Sequence, residues 1–568
     1  MNVNLNYLSL KGAKMSTLVT LNSTIRSQLV SVLCRQFATR TNVEVPRITT
    51  PHKLKVQFQK KERNILRKKA IQAKINMTNK RSALVISCKR VQYNHHQGQT
   101  YSEFNPSKLA SHGWSNYKSI GDHFTIKANS KNPALQTINE TVRTFEDFDL
   151  NEKLLEQIEE LNFEYPTKIQ RRTFSAVLQG QNVICAAETG SGKTLAYLLP
   201  IMELLWRMQA NETAEDTPPN SPRAIIILPS QELATQVAEV ANKFTKSCGI
   251  KLQLLSGKGI PTQNIRFFGK ETIDIVVSTP MTLLKFFYSG KLTGARCQHL
   301  VLDEADTLLD DSFSDVIKKI MQKLQIIVPS ASSALTTDDQ PYVMSGTQLL
   351  LISATMPRSL DSILEDFIEI ESFQRIKTES LHRLLPHVPH TFMRLHHEQK
   401  ADEILRLAKE SLANSIPTMI FCNKSDTCFW VHKLLKEHGI HNIVLNAQMD
   451  RKLRSGKFAN FQNEAADIFV CTDICSRGLD TLRVQLVINF DLPSYVSDYI
   501  HRSGRVGRVG SKDGGRVVSF ATQKWDVKLI WNIETAARKS AELENVNANI
   551  KRKITSIVQK KFRKPSEK

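Results

Sequence analysis

Ala187-Glu188-Thr189-Gly190-Ser191-Gly192-Lys193-Thr194 brings two glycines, a lysine and several hydroxyls into eight consecutive residues. Glycines let successive backbone N–H groups turn inward onto phosphate oxygens, and a helix starting behind them adds its dipole. In that arrangement Lys193 meets the β- and γ-phosphates of a nucleoside triphosphate, and the Thr194 hydroxyl ligates Mg2+. The generic pattern is met loosely, with Ala187 where a glycine is usual. About 110 residues later Val301-Leu302-Asp303-Glu304-Ala305-Asp306 ends an apolar run in acids. A carboxylate at the mouth of a parallel sheet is where the Mg2+ of such a site is held, which nominates Asp303. Its neighbour Glu304 is placed to polarise an attacking water.

These residues need strands that end at a common edge. Five short apolar runs, 183–187, 224–228, 273–277, 299–302 and 348–352, have the length of buried strands and alternate with longer helical patterns. That texture predicts βα units around a parallel sheet. A connector with Pro386 and Pro389 spans 372–390, and a second series follows at 418–422, 442–445, 468–471, 486–489 and 516–520. The fold class is therefore α/β, with two such domains in tandem. Segments 209–222 and 330–346 are polar, with Ser, Thr and Pro, and read as surface loops.

The 568 residues are 41% hydrophobic, ample for two or three cores, and disordered or collagen-like classes are excluded. No apolar run approaches the roughly 18–20 residues of a membrane span, so integral membrane association is not expected. The net charge of +22 is unevenly placed. Residues 44–143 carry +14, 144–536 carry −4, and 537–568 carry +7. A slightly acidic body with two basic arms suits a polyanionic partner. The arm at 44–143 shows one helical stretch, 56–77, and no core. In the tail, Ile550, Ile554, Ile557, Val558 and Phe562 share a helical face among lysines and arginines, a pattern that fits RNA, a partner groove or an anionic surface. Nine cysteines without a C-x2-C pair predict neither disulfides nor a Cys/His metal site.

Residues 1–43 hold five basic side chains and no acid. Leu18, Leu21, Ile25, Leu29, Val32 and Leu33 fall on one helical face, with Arg26, Arg35 and Arg40 among Ser and Thr. An amphipathic, acid-free, arginine-bearing start predicts a mitochondrial transit peptide over residues 1–40, followed by a basic extension to 143.

Asp303-Glu304-Ala305-Asp306 gives its letters to the DEAD-box RNA helicases, and the chain resembles that family from about Phe145 to Phe520. The resemblance implies two RecA-like domains, 144–372 and 389–536, joined by a linker at 373–388, with basic extensions at both ends. It implies ATP as the nucleotide: Phe145 stacks on the base, Gln170 of Pro166-Thr167-Lys168-Ile169-Gln170 reads its edge, and Asp480 of Arg477-Gly478-Leu479-Asp480 takes the ribose. Ser353-Ala354-Thr355 resembles the segment linking hydrolysis to strand separation, with His501 as its partner. His501-Arg502-Ser503-Gly504-Arg505-Val506-Gly507-Arg508 resembles the arginine-finger motif. Arg505 and Arg508 offer planar charged forks for a γ-phosphate, supplied from the opposite domain so that hydrolysis waits for closure.

On the RNA side the family's P-T-R-E-L-A is Pro229-Ser230-Gln231-Glu232-Leu233-Ala234, its paired glycine is Gly257-Lys258, and its T-P-G-R is Thr279-Pro280-Met281-Thr282. Of the family's H-G-D-M-x-Q-x-x-R stretch, Asn446–Arg454 keeps Arg454 and little else, while Thr472-Asp473 matches a further RNA contact. RNA binding is thus implied for Pro229, Ser230, Gly257, Thr279, Pro280, Arg454 and Thr472, with Lys258 and Arg451 as replacement cations. Stretches outside the shared motifs, Leu109–Trp114, Asp122-His123-Phe124 and Trp525-Asp526-Val527 among them, are similar to the mitochondrial branch linked to RNA granules and large mitoribosomal subunit assembly. The resemblance therefore implies an RNA-stimulated ATPase and helicase of the mitochondrial matrix acting on mitochondrial rRNA, with ribosome-assembly proteins as possible partners. An RNA-binding scaffold or clamp with incidental ATP turnover is the alternative.

Overall fold

A computed structural model describes residues 84–96, 106–127, 132, 134, 144–209, 220–255, 272–309, 313–324, 346–356, 364, 370–446, 448–454, 456–473, 481–511, 514–544 and 546. The transit-peptide expectation, the helix expected at 56–77, the amphipathic tail, Gly257, Lys258 and Asp480 lie outside them.

The described residues open with two antiparallel strands, β1 (Val85–Cys88) and β2 (His123–Lys127). The chain then builds a first sheet from β3 (Val183–Ala186), β4 (Ala224–Ile227), β5 (Leu252–Leu254), β6 (Ile275–Ser278), β7 (His299–Asp303), β8 (Gln348–Ser353) and β9 (Gln374–Lys377). All pairings are parallel, in the order β5-β6-β4-β7-β8-β3-β9. Strands covered on both faces read as unbroken apolar runs, which is why β3, β4, β6 and β7 were legible. Alternate residues feed two cores: Ala224 and Ile226 face one with Phe174 and Tyr197, and Ile225 and Ile227 the other with Leu300 and Leu351.

The second sheet contains β10 (His390–Arg394), β11 (Thr418–Cys422), β12 (Asn442–Leu445), β13 (Ile468–Thr472), β14 (Leu486–Asn489) and β15 (Arg516–Ala521). Its order is β1-β2-β10-β15-β14-β11-β13-β12, so the opening hairpin is part of it. The expectation that 44–143 holds no core is corrected here. β2 pairs antiparallel with β10, and Trp114, 1% exposed, lies 5.4 Å from the Phe124 ring, which stacks 5.1 Å from Phe392. The hairpin hid because β2 alternates buried and exposed residues, a one-sided edge pattern, inside a segment dominated by cations. Buried Glu534 of the last described helix, Lys524–Lys539, fastens this segment: it accepts from Ala110 N at 2.6 Å, Ser111 N at 3.0 Å and Ser111 Oγ at 2.6 Å.

The linker expected at 373–388 also differs from the structure. β9 pairs with β3 as an edge of the first sheet, and only Ile376 of its four residues is buried, so no apolar run marked it. The connector proper is 378–389, and it is packed. Leu384 joins the Trp114 and Phe124 core, and Leu385 and Val388 join that of Met419 and Phe469.

Candidate active site

The strands β3, β7 and β8 end side by side, and their parallel register brings three segments to one edge. After β3 the phosphate-binding segment turns through Gly190 and Gly192, at φ +76° and +89°, into a helix, Lys193–Gln209. Lys193 Nζ donates to the carbonyls of Ala187 at 2.9 Å and Glu188 at 3.0 Å, and Ser191 Oγ donates to Glu188 O at 2.7 Å. The Glu188 carboxylate accepts from Thr378 at the start of the connector. Gln170, near the start of helix Lys168–Leu178, accepts from Thr167 N at 2.8 Å and donates to Gly192 O at 3.1 Å. Its amide therefore braces the phosphate loop, a role beyond the base reading that the resemblance implied.

After β7, Glu304 adopts a left-handed conformation, φ 56° and ψ 49°, which costs about 1–2 kcal/mol for a residue with a β-carbon. This sharp turn sets two consecutive acids at the cavity edge. Asp303 Oδ2 accepts from Tyr197 OH at 3.0 Å, and its Oδ1 accepts from Glu304 N at 2.9 Å. Burial, reinforced by the charge of Glu304, pushes the Asp303 carboxyl up to about 7. Burial and Asp303 likewise hold the Tyr197 hydroxyl well above its usual range. Tyr197 escaped the sequence reading because one tyrosine on an apolar helix face looks like core.

After β8 come Ser353 and Thr355. Ser353 Oγ accepts from Thr355 N at 3.1 Å, and Thr355 Oγ1 donates to the Asp306 carboxylate. The same carboxylate lies 2.9 Å from His501 Nε2, and His501 Nδ1 lies 3.8 Å from Glu304. His501 belongs to a second-domain helix, Val496–Ser503, so one buried cluster joins the acids of the first domain to the second.

The segment after that helix closes the site. Arg505 Nε donates to His501 O at 3.0 Å and Arg508 Nε to Gly504 O at 3.1 Å. Val509 N donates to Gly190 O at 3.1 Å, a backbone bond between the domains. A cavity of about 290 Å³ results, lined by Lys193, Thr194, Asp303, Glu304, Arg505 and Arg508, with Phe145 and Gln170 farther along. Phe145 is buried, its ring 6.4 Å from Phe174. The more exposed aromatics on the lining are Phe163 and Tyr165, 42% and 58% exposed, which the sequence reading missed. Their position just before Pro166 was the available signal.

Thr194 and Asp303 are oxygen donors of the kind Mg2+ takes, and the adjoining buried carboxylates of Asp303 and Glu304 make this end of the cavity favourable for a cation. The residues fit that ion.

The described residues that the resemblance assigns to RNA are spread over both domains. Pro229 and Ser230 follow β4, with Ser230 Oγ capping helix Gln231–Cys248 through Leu233 N at 3.3 Å. Thr279 and Pro280 start helix Pro280–Tyr288, and Thr472 ends β13 with its hydroxyl buried. Arg454, which the resemblance assigns to RNA, holds Glu232 across the two domains at 2.6 Å. Thr282, at the position of a family arginine, is buried, its hydroxyl 2.9 Å from that of Thr279. Arg502, unassigned from sequence, grips Asp473 with two bonds of 2.6 and 2.7 Å and reaches Asn423 at 2.7 Å, locking the second-domain strand ends together.

Two parallel-sheet domains with a phosphate loop on one and paired arginines on the other define a nucleotide-driven two-domain ATPase. The DEAD/DEAH box helicase family model matches residues 167–363, and the Helicase conserved C-terminal domain model matches 399–510. The chain is 36% identical over 477 residues to the human "Probable ATP-dependent RNA helicase DDX28", covering 82% of this chain and 86% of that protein. It is 34% identical over 428 residues to the Arabidopsis thaliana "DEAD-box ATP-dependent RNA helicase 39", covering 74% and 66%. Among solved structures, S. cerevisiae Dbp5 bound to RNA and ADP BeF3 superposes with a TM-score of 0.55 at 24% identity, over 73% of this chain and 99% of that one. The chain belongs to the DEAD-box ATP-dependent RNA helicases.

Proposed function

We propose that this helicase remodels structured mitochondrial rRNA in the matrix during assembly of the large ribosomal subunit. The observation that carries the chemistry is the cavity completed from both domains, with Lys193, Asp303 and Glu304 facing Arg505 and Arg508. Lys193 leaves its carbonyl partners for the β- and γ-phosphates, Glu304 orients the attacking water, and the two guanidiniums meet the charge that develops on the γ-phosphoryl group. Thr194, and Asp303 through water, would hold Mg2+, which would neutralise phosphate charge there. Because the arginines arrive with the second domain, turnover depends on closure. RNA spanning the strand ends of both domains favours that closure, and the closed form strips a short duplex. The RNA bound to the solved Dbp5, which shares this fold, supports the reading. The mitochondrial assignment is supported by the acid-free arginine-bearing start, and the basic arms support a polyanionic partner.

The competing reading is an RNA clamp with incidental turnover. Thr282 favours it, because its hydroxyl turns inward to Thr279 where the family presents a cation. ATP turnover of the full chain with and without mitochondrial rRNA, beside Lys193→Ala and Glu304→Gln, separates the two. Strong stimulation lost in both variants supports the helicase. Tight RNA binding with no stimulated turnover supports the clamp. Crosslinking inside mitochondria that recovers no large-subunit rRNA would remove the ribosomal assignment.

A further inference from the structure

The connector 378–389 touches three motifs of the nucleotide site in turn. Thr378 donates to Glu188 of the phosphate loop. His382 Nε2 accepts from Met356 N at 2.9 Å, directly after Ser353-Ala354-Thr355. His387 Nε2 lies 2.7 Å from Gly507 O in the arginine segment, where a β-carbon on Gly507 would come within 2.5 Å of His387 and Val388. His382 occupies the pivot of this strap. Its ring engages the first domain, while its backbone carbonyl accepts from Leu543 N at 2.7 Å, just beyond the last helix of the second domain. Two residues on, Leu384 is sunk in the core that this helix shares with Trp114 and Phe124. The backbone of His382 is left-handed, φ +58°, a conformation in which histidine is enriched among non-glycine residues.

We infer that His382 is a positioning residue that links movement of the second domain to the Ser353–Thr355 coupling segment. Met356 N follows Thr355, whose hydroxyl meets the same Asp306 carboxylate as His501. The first domain thus feels the second at Asp306 from one side and at Met356 from the other. When the cleft opens, Leu384, Leu385 and Val388 travel with the second-domain cores, and the strap draws His382 off Met356. On closure the imidazole returns and fixes the end of the coupling segment, so strand separation and hydrolysis are timed together.

The contact requires a bare Nε2, since a backbone N–H can only donate. The ring is therefore neutral, with its proton on Nδ1. Burial lowers the basicity of His382, and the charged groups facing it are Glu542, Asp306 and Lys377. Protonation would turn the acceptor into a donor and break the contact.

The test compares the full chain with His382→Ala and His382→Gln, reading base pairs separated per ATP hydrolysed at saturating RNA and ATP. His382→Ala should lower that ratio about tenfold, the order expected for one lost hydrogen bond. His382→Gln places an amide oxygen near the position of Nε2 and should restore most of it. The ratio in the parent chain should fall as pH drops below the ordinary imidazole range, and this step should be absent from His382→Gln. An undiminished ratio with the parent's pH profile in His382→Ala would overturn the inference. So would a His382→Gln chain that melts like the parent yet couples no better than His382→Ala.

Discussion

A β-carbon on Gly504 would lie 1.4 Å from the Thr189 hydroxyl, so the arginine segment of the second domain rests on the phosphate loop with no room for a side chain. The contact sets how far the cleft closes, and with it the reach of Arg505 and Arg508. Gly504→Ala should leave nucleotide affinity nearly intact, because the phosphate loop belongs to the first domain. It should lower kcat about 100-fold, the order seen when catalytic groups are displaced by an ångström. Thr189→Gly placed in the Gly504→Ala chain removes the opposing atoms and should recover part of the loss. Fluorescent-nucleotide titration beside steady-state turnover checks both halves. A Gly504→Ala chain with parental kcat would show that the arginines do not need this contact.

Tyr165 lines the cavity beside Gln170 and keeps 58% of its surface exposed. A base stacked on this face would contact it equally before and during phosphoryl transfer. Its loss should therefore raise KM for ATP with little change in kcat. Tyr165→Ala should raise KM about tenfold, from a stacking contribution of ~1–3 kcal/mol per base. Glu304→Gln should show the opposite split, with kcat collapsing at near-parental KM. Initial rates at saturating RNA decide it, and a Tyr165→Ala chain with unaltered KM would place the base elsewhere.

The elements that sequence reveals are those whose burial is total. Val183–Ala186 and Thr418–Cys422 are inaccessible on both faces, so their apolar runs mark them without context. Gln374–Lys377 and His123–Lys127 bury one face or one residue, and their polar letters read as linker and basic arm. The site divides in the same way. Lys193, Asp303 and Glu304 are legible because a strand–loop–helix context and a strand end frame them in order along the chain. Gln170 and Arg454 are singled out by the resemblance, yet the bonds they make are to Gly192 and Glu232, partners that only folding brings near. Tyr197 and His382 act through geometry between segments 106 and 26 residues apart, which no local pattern encodes.

Two buried histidines give the chain a pH-dependent stability. Burial holds His299 at about 4, its Nδ1 2.8 Å from the Gln348 side chain. Burial holds His390 at about 3, its Nδ1 2.8 Å from Tyr499 OH. In the unfolded chain both return to the ordinary value of about 6.5. Between that value and the folded one the unfolded chain binds more protons, so stability is full above pH 6.5 and falls as pH drops towards 4. Each site can contribute up to roughly 1.4 kcal/mol per pH unit in that window. Urea midpoints at pH 7.5, 6.0 and 5.0 should decline, and His299→Asn or His390→Asn should flatten the decline. A midpoint independent of pH would mean that these rings are not held neutral.

Glu534 makes the strongest claim about domain anatomy. It is fully buried, receives Ala110 N, Ser111 N and Ser111 Oγ, and pairs with Arg538 Nε at 2.8 Å. Arg538 in turn donates to Tyr93 O at 2.6 Å, so one ion pair holds the opening segment at two places. Glu534→Ala leaves a buried guanidinium and three donors without this carboxylate, which should cost about 3–5 kcal/mol. Glu534→Gln keeps an acceptor and should cost about 1–2 kcal/mol. Limited proteolysis should cut Glu534→Ala first within 84–127, before either sheet core is attacked. Truncation supplies the sharper contrast. A chain starting at residue 144, where the charge pattern places the body, bares the β10 edge and the face of Phe392, and should aggregate. A chain starting at residue 84 keeps β1, β2 and Trp114 in place and should stay free of aggregation with RNA-stimulated turnover. If both truncations behave alike, the opening hairpin is a passenger on the second domain; if only the longer one folds, the sheet needs eight strands, and the segment before the first motif belongs to the helicase itself.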